Sequence, residues 1–555
     1  MLETKKQMFD YIIIGGGSAG CVLAARLSED PEVQVALLEA GTVDNSVLIH
    51  CPAGLALMAR VGGDNWKFET TPQPGLNGRK GYQPRGKVLG GSSSINAMIY
   101  VRGNRADYDH WAEQGNPGWS YQDVLPYFKR SEHNERFAGS SKGGGQGNEF
   151  HGNEFHGTGG PLNVKDLTSP NRFGPIFVAA GQQAGYRAND DFNGAEQEGV
   201  GRYQVTHKNG ERYSAAKAYL KPAMGRPNLK VITEAHTTRI LTEPAANGPK
   251  AVGVEYRQDG TLHQIQCGRE VLLCAGALQS PQVLMLSGIG PAAQLQQHGI
   301  AVVADVAGVG ENLHDHVDVV LCYNAPQVKD LFGVSPGGLW RALKGIFEWR
   351  KFRTGMLTTN FAEAGGFVKS APAEPVPDLQ YHFVIGKLVD HGRKPTFGMG
   401  YSCHVCLLQP KARGSVRLAS SDPFAAPLID PNFLGDPDDM KRLVRGFKQM
   451  RSTMAQPALA GYGGTETDRS VNAHTDTQIE DFIRNNADTI YHPVGSCRMG
   501  NGPLDVVDAQ LRVRGVQGLR VVDASVMPRV VSGNTNAPVI MMAEKASDLI
   551  KAAAT

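Results

Sequence analysis

Three glycines near the start of the chain, Gly15, Gly17 and Gly20, have the spacing G-x-G-x-x-G, and a carboxylate, Glu39, follows 19 residues after the last of them. Glycines so spaced make a tight turn and bring backbone N–H groups against a pyrophosphate at a helix N-terminus. An acid about 20 residues on meets a ribose hydroxyl. The chemistry implied is dinucleotide binding; the alternative is a strand–helix turn that binds nothing. Glu39 argues against NADP, because a carboxylate repels a 2′-phosphate. Other groupings carry less. Tyr213 and Lys217 in "YSAAK" match a Tyr-x-x-x-Lys acid/base pair used with NAD, but they sit far from the glycine loop and read as structural. Cys403 and Cys406 in "CHVC" read as one strand, where side chains three apart point to opposite faces and cannot share a metal. His314 and His316 are isolated from other ligand clusters. "GNEFH" occurs twice in tandem, at 147–151 and 152–156. That reads as a short duplication in a surface loop, with His151 and His156 poorly placed for metal. No metal site is expected.

The glycine loop needs a strand before it and a helix after it. Residues 11–14 are an apolar run, 19–29 are apolar at helical spacing, and 33–41 form a second apolar run ending near Glu39. This is a βαβ unit of the usual length. Residues 231–241 and 250–256 read as a β-meander, and 270–290 as another strand, small-residue turn and helix. Residues 315–480 alternate helices and strands with no cofactor signal, and the chain is motif-dense again after 490.

With 555 residues the chain exceeds one ordinary core, so two domains, or one with a large insertion, are expected. Its 56 basic and 54 acidic residues give a formal charge of +2, which offers no reason to expect nucleic acid or an anionic partner. Eight scattered cysteines are not a disulfide framework and suit a reducing compartment. The N-terminal residues lack the shape of a signal peptide, and no apolar run approaches the ~20 residues of a membrane helix. A soluble cytoplasmic protein is expected, with peripheral membrane attachment left open and the oligomeric state unspecified.

Several ordered stretches share one further resemblance. "GKVLGGSSSINAMIYVRGNRADYD" (86–109) contains Gly90 and Gly91, which let backbone pack on a flat ligand, then Ser92, Ser93, Ser94 and Asn96. "GALQSPQVLMLSGIG" (276–290), "GVGENLHDH" (308–316), "PKARGSVRL", "PLIDPNFL", "YHPVGSCRMG" (491–500) and residues 519–550 follow in order. With the opening loop they resemble the glucose–methanol–choline oxidoreductases over nearly the whole chain. The branch suggested is that of bacterial choline-dehydrogenase-like enzymes acting on aliphatic alcohols and polyethylene glycols.

The resemblance implies an α/β fold: a Rossmann-like FAD-binding domain (8–160, 216–314, 481–555) with an inserted α+β substrate domain (161–215, 315–480) built on an antiparallel sheet. It implies FAD at Gly15, Gly17, Ser18, Ala19, Gly20, Glu39 and Ala40. Val88, Gly90, Gly91, Ser92, Asn96, Ala97 and Met98 would lie along the ring and ribityl chain. Thr237 would contact the adenine side, with Asp523, Ala524 and Asn536 near the flavin; Asn536 would alternatively cap the final helix, whose N-terminus would favour negative charge on the flavin. Many family members attach FAD through a histidine just before the asparagine; here that position is Ile95, so FAD is expected to be non-covalent. An alcohol gives up hydride more easily as its hydroxyl loses a proton, which calls for a base with a pKa near working pH. By resemblance His492 is that base, and Asn534 hydrogen-bonds the substrate oxygen. Tyr491, His382 and Glu363 are expected in the substrate pocket. The implied reaction is oxidation of a primary alcohol to an aldehyde, with electrons passed to a quinone, a dye or oxygen. A hydroxynitrile lyase or other non-redox activity on the same scaffold, and a choline dehydrogenase, are the alternatives.

Overall fold

"YIII" and "VALL" are apolar without alternation, the pattern of strands covered on both faces. A computed structural model describes residues 8–138 and 152–554, apart from Ser335, Pro395 and Asp468. In it, β1 (Met8–Ile14) and β2 (Val35–Leu38) flank α1 (Ser18–Leu27) and pair in parallel, Ile12 opposite Ala36. Ile12, Ile13, Val35 and Leu37 are completely buried. Gly20 is required by close packing: a Cβ there would stand 1.9 Å from the Gly15 carbonyl oxygen.

Seven strands form this sheet, in the order Leu229–Ile232, β2, β1, Thr261–Leu273, Lys250–Gln258 and His236–Glu243, with Leu519–Val521 also on Thr261–Leu273. The 13-residue strand Thr261–Leu273 joins two halves. Its exposed start is antiparallel to Lys250–Gln258, and its buried end runs parallel to Leu519–Val521. The meander expected over 231–256 therefore divides. Leu229–Ile232 joins β2 in parallel, and the antiparallel run begins only at His236. Glu234, at φ +57°, breaks the strand between them, its N–H bonding to the Gly41 carbonyl.

A second, eight-stranded sheet holds Thr465–Glu466, Val317–Asn324, Gly398–Leu407, Leu379–Val384, Ala362–Val368 and Gly199–Arg202 in antiparallel order. The helix α2 (Pro437–Met454) covers one face with Leu443, Phe447 and Met450. Cys403 packs in that core, whereas Cys406 belongs to a separate cluster with Tyr203 and Phe367, on the other side. The expected separation of the two thiols is what strand geometry produces. All eight cysteines are free and buried. Among the described residues no cluster of His, Cys, Asp and Glu is arranged to hold a metal.

The last helix, α3 (Asn536–Ala554), lies along α1. Completely buried Glu544 receives Arg26 and the Tyr219 hydroxyl, each at 2.8 Å, and Arg130 at 2.9 Å. A buried carboxylate is stable only when so paired. Asn536 starts α3 rather than capping it, and its Oδ1 accepts from Ser18 Oγ at 2.8 Å, tying the two helix starts together.

Two motifs resolve as structural. Lys217 pairs with Glu211, not with Tyr213. The second "GNEFH" copy is a loop with Gly152, Asn153 and Glu154 exposed, but its histidine turns inward. His156 is completely buried, its ring nitrogens 3.2 Å from Glu132 and 2.9 Å from Asp191, with Phe137 stacked at 4.4 Å. Glu132 also binds Arg102 at 2.6 Å, so the histidine completes a paired polar cluster. His151 lies outside the described residues.

Candidate active site

A cavity of about 800 Å³ runs from the glycine loop to the inner face of the second sheet. At one end it is lined by Gly15, Gly17, Ser18, Ala19, Glu39 and Ala40. Gly15 takes φ +101°, which turns the chain from β1 into α1. Gly17 is the helix N-cap, with no side-chain cap and no acid in the first turn, so the leading N–H groups and the positive helix end are free for an anion. A Cβ on Gly17 would meet nothing closer than 4.0 Å, leaving that face open. Glu39 spans the turn: its carboxylate accepts from Gly16 N–H and Gly41 N–H, both at 2.8 Å. Burial nevertheless pushes its pKa up to about 7.

The second glycine segment meets the first. Gly90 N–H donates to the Gly16 carbonyl at 2.7 Å, and a Cβ on Gly91 would stand 2.7 Å from Gly17 Cα. Gly91, Ser92, Ile95, Asn96, Ala97 and Met98 line the middle of the cavity, with Thr237, Asp523, Ala524 and Asn536. Buried Arg212 holds this loop through Ser93 O, Asn96 O and Asn96 Oδ1 at 2.7–3.2 Å. The hydrocarbon side chain of Ile95 offers no nucleophile for a covalent cofactor bond.

His492 stands at the far end. Its neighbours fix which nitrogen is bare. His316 Nε2 lies 2.9 Å from the Leu408 carbonyl, which only accepts, so the ring proton of His316 is on Nε2. Burial lowers the pKa of His316 to about 4, so it carries that one proton. Its bare Nδ1 accepts, at 3.1 Å, the proton on His492 Nδ1. His492 Nε2 is therefore a free lone pair, with Asn534 Nδ2 donating toward it at 3.4 Å. Asn534 Oδ1 accepts from Gln380 Nε2 at 3.2 Å, which fixes the amide orientation. Asp315, its carboxyl pushed up to about 6 by burial, accepts from the backbone N–H of His492 at 2.9 Å and the Thr489 hydroxyl at 2.5 Å. Burial first, and then the Arg85 charge, hold His492 well below the ordinary histidine range. Replacing His316 with leucine removes the acceptor that dictates this tautomer. Turnover is expected to fall roughly 10–100-fold with FAD content intact, as stopped-flow and absorbance would read.

Tyr491 and His382 line the cavity. Tyr491 holds φ +78°, pinned by Arg85 Nη2 on its carbonyl at 2.7 Å and by His391 on its hydroxyl at 2.6 Å. His382, its pKa lowered to about 3 chiefly by burial, faces the cavity beside His404, which bonds Asp318 at 2.5 Å. Four expected residues do not line the cavity. Gly20 and Gly90 act through the backbone packing described above. Val88 is buried beneath, against Ile49 and Met58. Glu363 is not part of the lining: it is the extra residue of a β-bulge, Ala362 and Ala364 pairing with the adjacent Val384 and Phe383, and its buried carboxylate accepts from Thr359 Oγ1 at 2.6 Å. His316, Asp315, Gln380 and Arg212 were not singled out as site residues; only "HDH" had pointed toward the first two.

A mixed sheet built on a glycine-loop βαβ unit, with a cavity that runs from that loop to a buried histidine, has the features of a dinucleotide-dependent oxidoreductase. The chain belongs to the GMC oxidoreductase family, whose N-terminal model matches residues 9–318 and whose C-terminal model matches 410–543. It is 49% identical to alcohol dehydrogenase [acceptor] of Pseudomonas putida, over 98% of this chain and 96% of that one. It is 43% identical to oxygen-dependent choline dehydrogenase of Brucella ovis, over 98% and 95%. A structure of Aspergillus oryzae formate oxidase, described for its FAD modification, superposes with a TM-score of 0.89 at 26% identity, covering 99% of this chain and 98% of that one. The cofactor is FAD, and the open glycine cradle and uncapped helix start fit its pyrophosphate.

Proposed function

We propose that the protein oxidises a primary alcohol of aliphatic or polyethylene-glycol type to the aldehyde and passes the electrons to a quinone, a dye or oxygen. Bound FAD supplies the hydride acceptor. One observation carries this function above the others: the bare Nε2 of His492 opens into the same cavity as the dinucleotide cradle. A substrate hydroxyl entering between His492 and Asn534 donates its proton to Nε2, while Asn534 Nδ2 hydrogen-bonds the oxygen as negative charge builds on it. Gln380 holds Asn534, and His316 and Asp315 hold His492, so neither group must reorganise as the proton moves. Ile99, Phe361, Ala362 and Val384 give the cavity an apolar wall that suits an alkyl or ether chain. The two separate sheets, with the cavity between them, support the division into a FAD-binding unit in three stretches of chain and a substrate unit in two.

The test is a balance of products. Purified enzyme, a medium-chain primary alcohol and a quinone analogue should give one aldehyde per quinone reduced. Aldehyde without acceptor reduction, or reaction only with a cyanohydrin, would favour a lyase. The choline dehydrogenases among its relatives make choline the second substrate reading, and faster turnover of choline than of every uncharged alcohol would establish it.

A further inference from the structure

The helix Pro336–Phe352 is rooted on one side and bare on the other. Its inner face is held by Trp349, which is 2% exposed, donates from Nε1 to the Gly210 carbonyl at 2.8 Å, and packs with Cys51, Ala53 and Phe361. Phe361 is itself a wall of the cavity. The outer face carries Trp340 (72% exposed), Leu343, Ile346 and Phe347 (66%) at spacings of three and four, with Phe352 at its end. Phe397, 74% exposed, adjoins the start of the helix: the next residue, Gly398, pairs with Val334. Its other neighbour, Thr396, lines the cavity. Large apolar side chains gathered in this way on a water-soluble surface mark a contact site.

The charges along this helix are mostly positive. Between residues 336 and 353 there are five basic side chains, Arg341, Lys344, Arg350, Lys351 and Arg353, and one carboxylate, Glu348. Lys344, Arg350 and Lys351 are exposed and form no ion pair among the described residues, although the chain as a whole is nearly neutral. A helix with aromatic and aliphatic residues on one face and basic residues beside them is built to lie in a lipid interface. The apolar side chains enter the acyl boundary while the cations meet phosphates. No helix of the described residues is long and apolar enough to span a bilayer, so the contact would be peripheral. We propose that the outer face of helix 336–352, with Phe397, docks the protein on an anionic phospholipid surface and sets the adjoining cavity against the bilayer. There a lipophilic alcohol or quinone is dissolved. The docking itself is independent of which alcohol the enzyme oxidises.

The experiment is vesicle co-sedimentation of the FAD-loaded full-length protein. Vesicles of phosphatidylcholine alone are compared with vesicles containing phosphatidylglycerol, at low and high salt. The protein should pellet with the anionic vesicles and be partly released by salt. A Trp340→Glu/Phe347→Glu variant should lose about tenfold or more of its partitioning, and Lys344→Glu/Lys351→Glu should lose binding to anionic vesicles in particular. Unchanged FAD content and melting temperature check that these surface variants are folded. Failure to pellet, or pelleting unaffected by either variant, would overturn the proposal. So would a concentration-dependent dimer in light scattering that the Trp340→Glu/Phe347→Glu variant abolishes without any vesicle binding by the parent protein, which would assign the face to a second copy of the chain.

Discussion

Replacing His492 with alanine should lower the rate at which an alcohol is oxidised by about 10³-fold, within the 10²–10⁴ that a positioned base contributes. The protein should still bind FAD, because His492 lies at the cavity end away from the glycine cradle. The same residue predicts the pH profile. Only the neutral imidazole accepts a proton, so activity must fall as acid protonates Nε2. Burial and the positive charge of Arg85 disfavour the imidazolium. The acid limb of kcat/KM is therefore expected well below the ordinary histidine value of about 6.5, with a plateau through neutral pH. An acid limb at or above 6.5 would mean that the base is another group or that its surroundings are more polar than this cavity. Comparing the profile of the wild-type protein with that of Arg85→Met separates the contributions. Removing the Arg85 charge should shift the limb toward higher pH.

Gly91→Val should cost the protein its cofactor. Gly91 sits at φ +53°, where a branched side chain is strained by about 1–3 kcal/mol. Its Cβ would also stand 2.7 Å from Gly17 Cα, and that obstacle is backbone with no rotamer to give. Relief requires the loop 86–98 to move away from the N-terminal turn, which opens the joint between the two segments lining the FAD side of the cavity. Purified Gly91→Val is expected to carry less than about a tenth of the wild-type FAD while retaining its far-ultraviolet circular dichroism. Full FAD occupancy would show that the two glycine segments do not jointly form the cradle.

The elements that carry these effects differ in how visibly the sequence encodes them. The β1–α1–β2 unit was legible because its signals are local: apolar runs, three glycines and an acid within about 30 residues. The split of the expected meander at Glu234 was not, since it depends on the Gly41 carbonyl meeting that N–H from far along the chain. His492 and Asn534 stood in recognisable motifs, but the groups that make them useful did not. His316 is 176 residues from His492, and Gln380 is 154 from Asn534. Nothing local marks a histidine whose task is to accept from another histidine. Glu363 failed for the opposite reason. A carboxylate near apolar residues looked like a pocket group, yet Glu363 falls at a β-bulge, which interrupts the two-residue alternation a strand pattern would suggest. The burial of His156 was not legible either, because its partners Glu132 and Asp191 come from flanking segments on either side of the duplication.

The most direct measurement is an anaerobic absorbance spectrum of the FAD-loaded protein before and after addition of a medium-chain primary alcohol. The account predicts that the yellow flavin band bleaches with wild-type protein, returns on addition of a quinone analogue or air, and bleaches about 10³-fold more slowly with His492→Ala. A flavin band that no alcohol in a panel bleaches, or one that bleaches equally fast without His492, would contradict it.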